Sequence, residues 1–247
     1  MESFWEWFRW LHGATGINLT IFYDPFDRGR FANGFLTTVR LSAACIVLSL
    51  LIGVAGAWLQ GSRLRVTRKV VYWYIQFFRN TPPLVQLYFF YFGVGSLLKS
   101  VDASGATTPM ISNVTWAILS LSFFAGAFNV EIFRSGVEAV PRTTVEAAES
   151  LGFSRLRIYV LIVLPLAFRI CLPALNNNLV NLVKTTTLAY AIAVPEMLYV
   201  SSQIWSDELN VPVMMNVLLV CYIGLVGCLV WAMHRWERAI KVPGFGI

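Results

Sequence analysis

Glu146-Ala147-Ala148-Glu149-Ser150-Leu151-Gly152 is a short helical pattern, polar along its edges and ended by glycine, set between long apolar segments. Those surroundings decide the fold class. The chain of 247 residues is 57% apolar and only 13% charged, whereas soluble domains carry about 25% charge. Such a composition describes a polytopic membrane protein. The expected fold is all-α, with five core transmembrane helices and a short cytoplasmic helix on the quoted stretch.

Outward from that stretch, the expected spans cover residues 31–58, 70–98, 112–137, 160–194 and 213–233. About 20 residues cross the hydrocarbon, so the first span must tilt or protrude. Gly53 and Gly56 give it a close-packing surface. The second span is interrupted by Pro82-Pro83, which remove backbone donors and kink a helix. Pro165 and Pro173 fall early in the fourth. Residues 13–30, holding Gly13, Gly16, Pro25 and Gly29, read as loop, as do residues 99–112, with Asp102 and Gly105, and residues 195–211. Ahead of them, Phe4, Trp7, Phe8 and Leu11 repeat at helical spacing and read either as a helix lying at the membrane interface or as a partly ordered arm. The expected division is therefore an extracytoplasmic or interfacial segment at 1–30, a transmembrane domain at 31–235 containing the polar insertion 141–159, and a cytoplasmic tail at 236–247.

Five spans place the loops on alternating sides. One side receives Arg63, Arg65, Arg68, Lys69, Arg142, Arg155, Arg157, Arg235, Arg238 and Lys241; the other holds Lys99 with Asp102, Glu196, Asp207 and Glu208. Basic loops mark the cytoplasmic side. The N-terminus is then extracytoplasmic, and the insertion and C-terminus are cytoplasmic. This distribution accounts for the net charge of +6 without nucleic acid. His12 and His234 lie at opposite ends, and Cys45, Cys171, Cys221 and Cys228 form no CxxC pair. No metal site or bound cofactor is expected.

Within the insertion, Thr143 and Glu146 have the spacing of a capping box, and Gly152 holds the place of a left-handed C-cap. Ala147, Ala148 and Leu151 would present a low surface, with Glu146 and Glu149 ready for basic or amide groups. These residues fit a docking element for another protein and equally a surface helix packed on its own bundle.

Glu146-Ala147-Ala148, Gly152 and then Ile162-Val163-Leu164-Pro165 resemble the signature loop of permease subunits of bacterial ATP-binding-cassette importers, including the nine residues between Gly152 and Ile162. The run Phe78-Arg79-Asn80-Thr81-Pro82 and the progression Leu164-Pro165, Arg169, Pro173, Asn177, Lys184-Thr185-Thr186-Thr187-Leu188 look most like the branch that imports polar amino acids. The likeness covers roughly residues 33–235. It departs where Arg142-Thr143-Thr144 replaces a common Gly-Gln pair, where Asn176 replaces a glycine, and where Thr185 follows the lysine.

The resemblance implies a bacterial inner-membrane permease subunit that forms the path for amino acid import. Its expected partners are a second permease (a copy or a related chain), two ATPase subunits that bind MgATP, and an extracytoplasmic solute-binding protein. The chain has no Gly-x4-Gly-Lys-Ser/Thr loop, so hydrolysis would occur on the partner and no catalytic residue is expected. Coupling would fall to Glu146, Ala147, Ala148, Leu151 and Gly152. A stand-alone secondary carrier or channel is the rival reading, although the chain has no inverted repeat.

Charged residues within spans are expensive in lipid and must face protein or water. Arg40 lies roughly 13 Å into the first span. Asn177, Asn181 and Lys184 share a helical face, and Lys184 is followed by Thr185, Thr186 and Thr187. That face either lines the translocation path, offering amides and an ammonium to an amino-acid zwitterion, or makes helix–helix contacts and meets the partner permease; Arg40 either reads a carboxylate from the outer side of the path or snorkels to the interface. Glu131 and Arg134, at i and i+3, are expected to form a structural ion pair.

Overall fold

The computed structural model describes residues 2–101 and 107–240. Asp102, Gly105 and Lys241 lie outside the described residues, as do the rest of the tail beyond residue 240 and the side chain of Phe4. In chain order the helices are α1 (Glu2–Thr15), α2 (Thr20–Tyr23), α3 (Pro25–Gln60), α4 (Arg65–Asn80), α5 (Pro83–Leu97), α6 (Asn113–Glu138), α7 (Arg142–Ser150), α8 (Arg155–Ile192), α9 (Met197–Glu208) and α10 (Val211–Ile240). A two-stranded antiparallel hairpin, β1 (Lys99–Val101) with β2 (Thr107–Pro109), stands between α5 and α6. The fold is otherwise all-α.

Among the described residues four helices are long and apolar enough to cross a membrane: α3, α6, α8 and α10. The expected span at 70–98 is instead two helices. Thr81 is extended (φ −118°, ψ 145°) because a residue that precedes proline is driven out of the α region. Neither Pro82 nor Pro83 carries an amide hydrogen to continue the ladder. On the N-terminal side of the break, α4 is amphipathic. It buries Val71, Ile75 and Phe78 and exposes Val66, Val70, Trp73 and Phe77.

Two expected loops are corrected. Within residues 13–30, α1 continues to Thr15, α2 forms a single turn, and α3 already begins at Pro25. The Asp24 carboxylate accepts the Phe26 N–H at 3.1 Å, and proline at the first helical position starts the helix. Within residues 195–211 lies α9, whose first turn is capped by the Glu196 side chain. In α8, a π-turn over Tyr159–Val163 ends one residue short of Pro165, with Leu164 between them. The wider turn accommodates the carbonyl against which that proline ring would otherwise press.

The chain forms two compact units. The first contains residues 1–45, 84–120 and 183–227; the second contains residues 46–83, 121–182 and 228–247. Helices α3, α6, α8 and α10 contribute a portion to each. In the first unit, Ile21, Val200, Ile204 and Met214 form a core with Phe22, Phe31 and Val217 against it. In the second, Leu172, Leu175 and Leu179 of α8 pack with Ile46 and Leu50 of α3 and Ile132 of α6. There α3 meets α6 closely: a Cβ on Gly53 would stand 2.4 Å from that of Asn129, and one on Gly56 2.3 Å from a Val130 methyl.

Candidate functional site

The helix over the opening stretch, α7, begins two residues earlier than a capping box requires. Pro141 is its N-cap (φ −59°, ψ 132°), and no side chain caps it. Thr143 therefore falls inside the first turn, so the expected Thr143–Glu146 capping box does not form. Proline cannot continue a helix backward but suits its edge. Thr144 N–H bonds to the Pro141 carbonyl at 3.1 Å instead.

The C-terminal end is closed by backbone alone. Phe153 N–H bonds to Ala148 O at 3.2 Å, and Gly152 N–H to Glu149 O at 2.9 Å. With Gly152 at φ +79°, this is the Schellman arrangement. The left-handed conformation costs an L-residue about 1–2 kcal/mol. A Cβ on Gly152 would meet nothing within 4 Å, so its constraint is conformational rather than steric.

One side of α7 is anchored. Ala148 is buried with Val140, Ile158, Val163 and Ala167, and Val145 packs on that cluster. Ala148 thus faces the chain's own core rather than an outer surface. Glu146, Ala147, Glu149, Leu151 and Gly152 are exposed, Leu151 at 78%. The element is a fixed helix with a bare edge of two carboxylates and an apolar tip.

Beside it in the second unit stands a charge network. Glu131 and Arg134 meet at 3.0 Å, Arg134 reaches Glu138 at 2.7 Å, and Arg79 lies 3.7 Å from Glu131. The Arg79 guanidinium also sits 5.2 Å from the centre of the Phe128 ring. The Glu131–Arg134 pairing follows from i,i+3 spacing; Glu138 and Arg79 were missed. Glu138 was legible as the next turn on the same face, but Arg79 reaches α6 from another helix.

The asparagines of α8 divide by helical phase. Asn178 donates to Asn129 Oδ1 at 2.8 Å and to the Ala125 carbonyl at 3.1 Å, while Asn176 donates to Glu237 at 3.4 Å. These are bonds between helices of the second unit. Asn177 and Asn181 are exposed. They continue by register to Lys184, also exposed and without an ion pair among the described residues. Thr186 and Thr187 donate to the carbonyls of Val183 and Lys184 at 2.7 and 2.9 Å, and the helix tightens to a 3₁₀ turn over Thr186–Ile192. Thr185 and Thr187 are half-buried, and Arg40 is exposed on α3.

A buried knot in the first unit was not anticipated. Glu196, fully buried, accepts the N–H groups of Leu198 at 2.9 Å and Tyr199 at 2.8 Å and the Tyr222 hydroxyl at 3.1 Å. Thr38 Oγ1 accepts the Met197 N–H at 2.9 Å. Three helices, α3, α9 and α10, are tied at one point. The signal was an acidic residue directly before an apolar run, a helix-cap pattern, hidden by its resemblance to an acidic loop. Among the described residues no cluster of histidine, cysteine or carboxylate suits a metal ion.

The profile of the family described as "Binding-protein-dependent transport system inner membrane component" matches residues 35–242. The histidine/lysine/arginine/ornithine transport system permease protein HisM of Salmonella typhimurium is 31% identical over 214 residues, covering 86% of this chain and 90% of that protein. The probable glutamine ABC transporter permease protein GlnM of Bacillus subtilis is 29% identical, covering 79% and 85%. Among solved structures, an amino acid ABC transporter with histidines superposes with a TM-score of 0.76 at 24% identity, covering 86% of this chain and 94% of that one. The MetNI methionine ABC transporter in an inward-facing conformation gives 0.67 at 18% identity, covering 89% and 99%.

Proposed function

We propose, from the fact that the chain belongs to the family of inner-membrane components of binding-protein-dependent transport systems, that it conducts an amino acid through an ATP-binding-cassette importer. The chain is a multi-pass inner-membrane permease subunit and not itself a catalyst. The amino acid class rests on the relatives that carry histidine, lysine, arginine and ornithine, or glutamine. Two permeases, alike or related, work with two ATPase subunits that bind MgATP and with an extracytoplasmic solute-binding protein.

Helix α7 is the coupling element, and one observation carries this assignment. A helix of only 9 residues is locked into its own core through Ala148 yet leaves Glu146, Ala147, Glu149 and Leu151 bare. A short rigid helix with an exposed edge transmits a push without bending. The ATPase pair grips that edge, and its closure and reopening drive the path between outward and inward states. Helix α7 and the basic ends Arg63–Lys69 and Arg235–Arg238 face the cytoplasm, and α1 the opposite side, as the distribution of basic residues supports. The path is lined by Arg40, Asn177, Asn181, Lys184, Thr185 and Thr187. Charged groups in a membrane protein are retained where they meet water or solute.

Reconstitution with the cognate ATPase and binding protein tests the assignment. Glu146→Lys and Gly152→Val are expected to lower solute uptake and solute-stimulated ATP hydrolysis together, with the permease still inserted. Full transport by either variant overturns the coupling role of α7. A cysteine placed at Ala147 should react with impermeant reagents only from the cytoplasmic side; labelling from outside reverses the topology. Lys184→Met should reduce uptake while solute binding to the isolated binding protein is unchanged.

A further inference from the structure

We propose that the first unit carries a phospholipid site, in which an acyl chain fills the groove between α1–α3 and α10 and the phosphodiester is held by Arg28. The groove has a volume of about 800 Å³, within the range of ligand pockets. Its walls are apolar: Leu19, Phe31, Val213, Val217 and Val220 among them. Arg28 and Trp5 also line it, and the Arg28 guanidinium lies 5.0 Å from the centre of the Trp5 ring.

Two arginines on α3 face different circumstances. Arg30 is engaged by Asp27 at 3.3 Å and Asp207 at 2.8 Å. Arg28 is exposed and has no ion pair among the described residues. A guanidinium resting on an indole is oriented, and its N–H edge stays available for two oxygens of a phosphate. The surrounding chemistry matches the rest of an amphiphile. Phe8 of α1 stacks on Phe22 at 4.5 Å, while Trp7 and Trp10 remain 51% and 64% exposed, as for aromatic residues at the headgroup level of a bilayer. The occupant needs an apolar tail and an anionic head, which excludes a polar amino acid and fits a phospholipid of the membrane in which the chain resides. The site holds α1 against the start of α10 through lipid. It stands independently of the amino acid reading above.

Native mass spectrometry of the full-length chain, purified with its partner subunits and delipidated, tests the proposal. Phosphatidylglycerol, phosphatidylethanolamine and diacylglycerol are added back separately. Both phospholipids should bind at least roughly tenfold more tightly than diacylglycerol, because a charge-assisted contact is available only to the phosphate. Arg28→Glu should remove that preference and leave diacylglycerol unchanged; Ala32→Trp, which fills the groove from its wall, should weaken all three. Equal binding of phospholipid and diacylglycerol, or unaltered phospholipid binding in Arg28→Glu, overturns it. So does dissociation of the assembly by Ala32→Trp, which would assign the groove to a second copy of the chain.

Discussion

Each compact unit contains a carboxylate that the apolar surroundings should penalise, and each solves the problem differently. Glu196 in the first unit is fully buried and forms no ion pair among the described residues; two backbone N–H groups and the Tyr222 hydroxyl satisfy it. Glu131 in the second has a side chain 25% exposed and is held by Arg134 and Arg79. Two of those donors come with the fold: they are the orphan amides of the α9 N-terminus, where the helix dipole also favours negative charge. Bringing a guanidinium to the same depth would add a second charge to desolvate. Glu131 is only partly buried, and ion pairs serve it. Deep burial thus favours fixed dipoles, and partial exposure favours ion pairs.

The largest expected effect is at Glu196. Glu196→Ala removes the cap of α9 and strands the Tyr222 hydroxyl, costing up to about 3 kcal/mol, read as a lower thermal midpoint in detergent. Loss no greater than that of Glu131→Ala would break the comparison. Tyr222→Phe isolates one donor and should cost about 1 kcal/mol. Smaller still is the network around Glu131, where Arg134 keeps Glu138 at 2.7 Å when Glu131 is removed. A Glu131→Ala, Arg134→Ala double-mutant cycle should yield a coupling of about 0.2–1 kcal/mol that shrinks with added salt. The corresponding Glu196–Tyr222 cycle should be insensitive to salt.

The subtlest distinction is in pH. Burial pushes the Glu196 carboxyl above its ordinary value of 4.5, while the Leu198 and Tyr199 amides and the Tyr222 hydroxyl pull it down. A carboxyl whose pKa is raised on folding binds its proton more tightly in the native state. Its contribution is therefore complete below about 4.5 and is lost as pH rises through the raised native value. Stability of the wild type should decline over that window relative to Glu196→Gln, measured by thermal unfolding at each pH. Parallel curves would mean that dipoles cancel the burial entirely.

Much of this architecture is written in local chemistry. The long apolar runs mark α3, α6, α8 and α10, Pro82-Pro83 breaks the helix between α4 and α5, and Gly152 adopts the left-handed cap that its place after Leu151 suggests. Each depends on neighbours in the chain: hydropathy over a window, a missing amide hydrogen, a missing Cβ. The same locality misleads where a competing neighbour intervenes. Thr143 and Glu146 have capping-box spacing, yet Pro141 starts the helix ahead of them. Residues 195–211 are polar enough for a loop, yet Glu196 opens a helix there.

Apolar period, proline and glycine by themselves determined that this is a helical membrane protein with a short capped helix outside its long apolar segments. Tertiary structure alone decided phase and partnership: that Ala148 turns inward and Ala147 outward, that Asn178 joins Asn129 while Asn177 stays exposed, and that Thr38 meets Met197 while Tyr222 meets Glu196 at one knot. The reason is physical. Helix formation is governed by bonds within a few residues, whereas which side of a helix is buried depends on packing against helices far away in the chain.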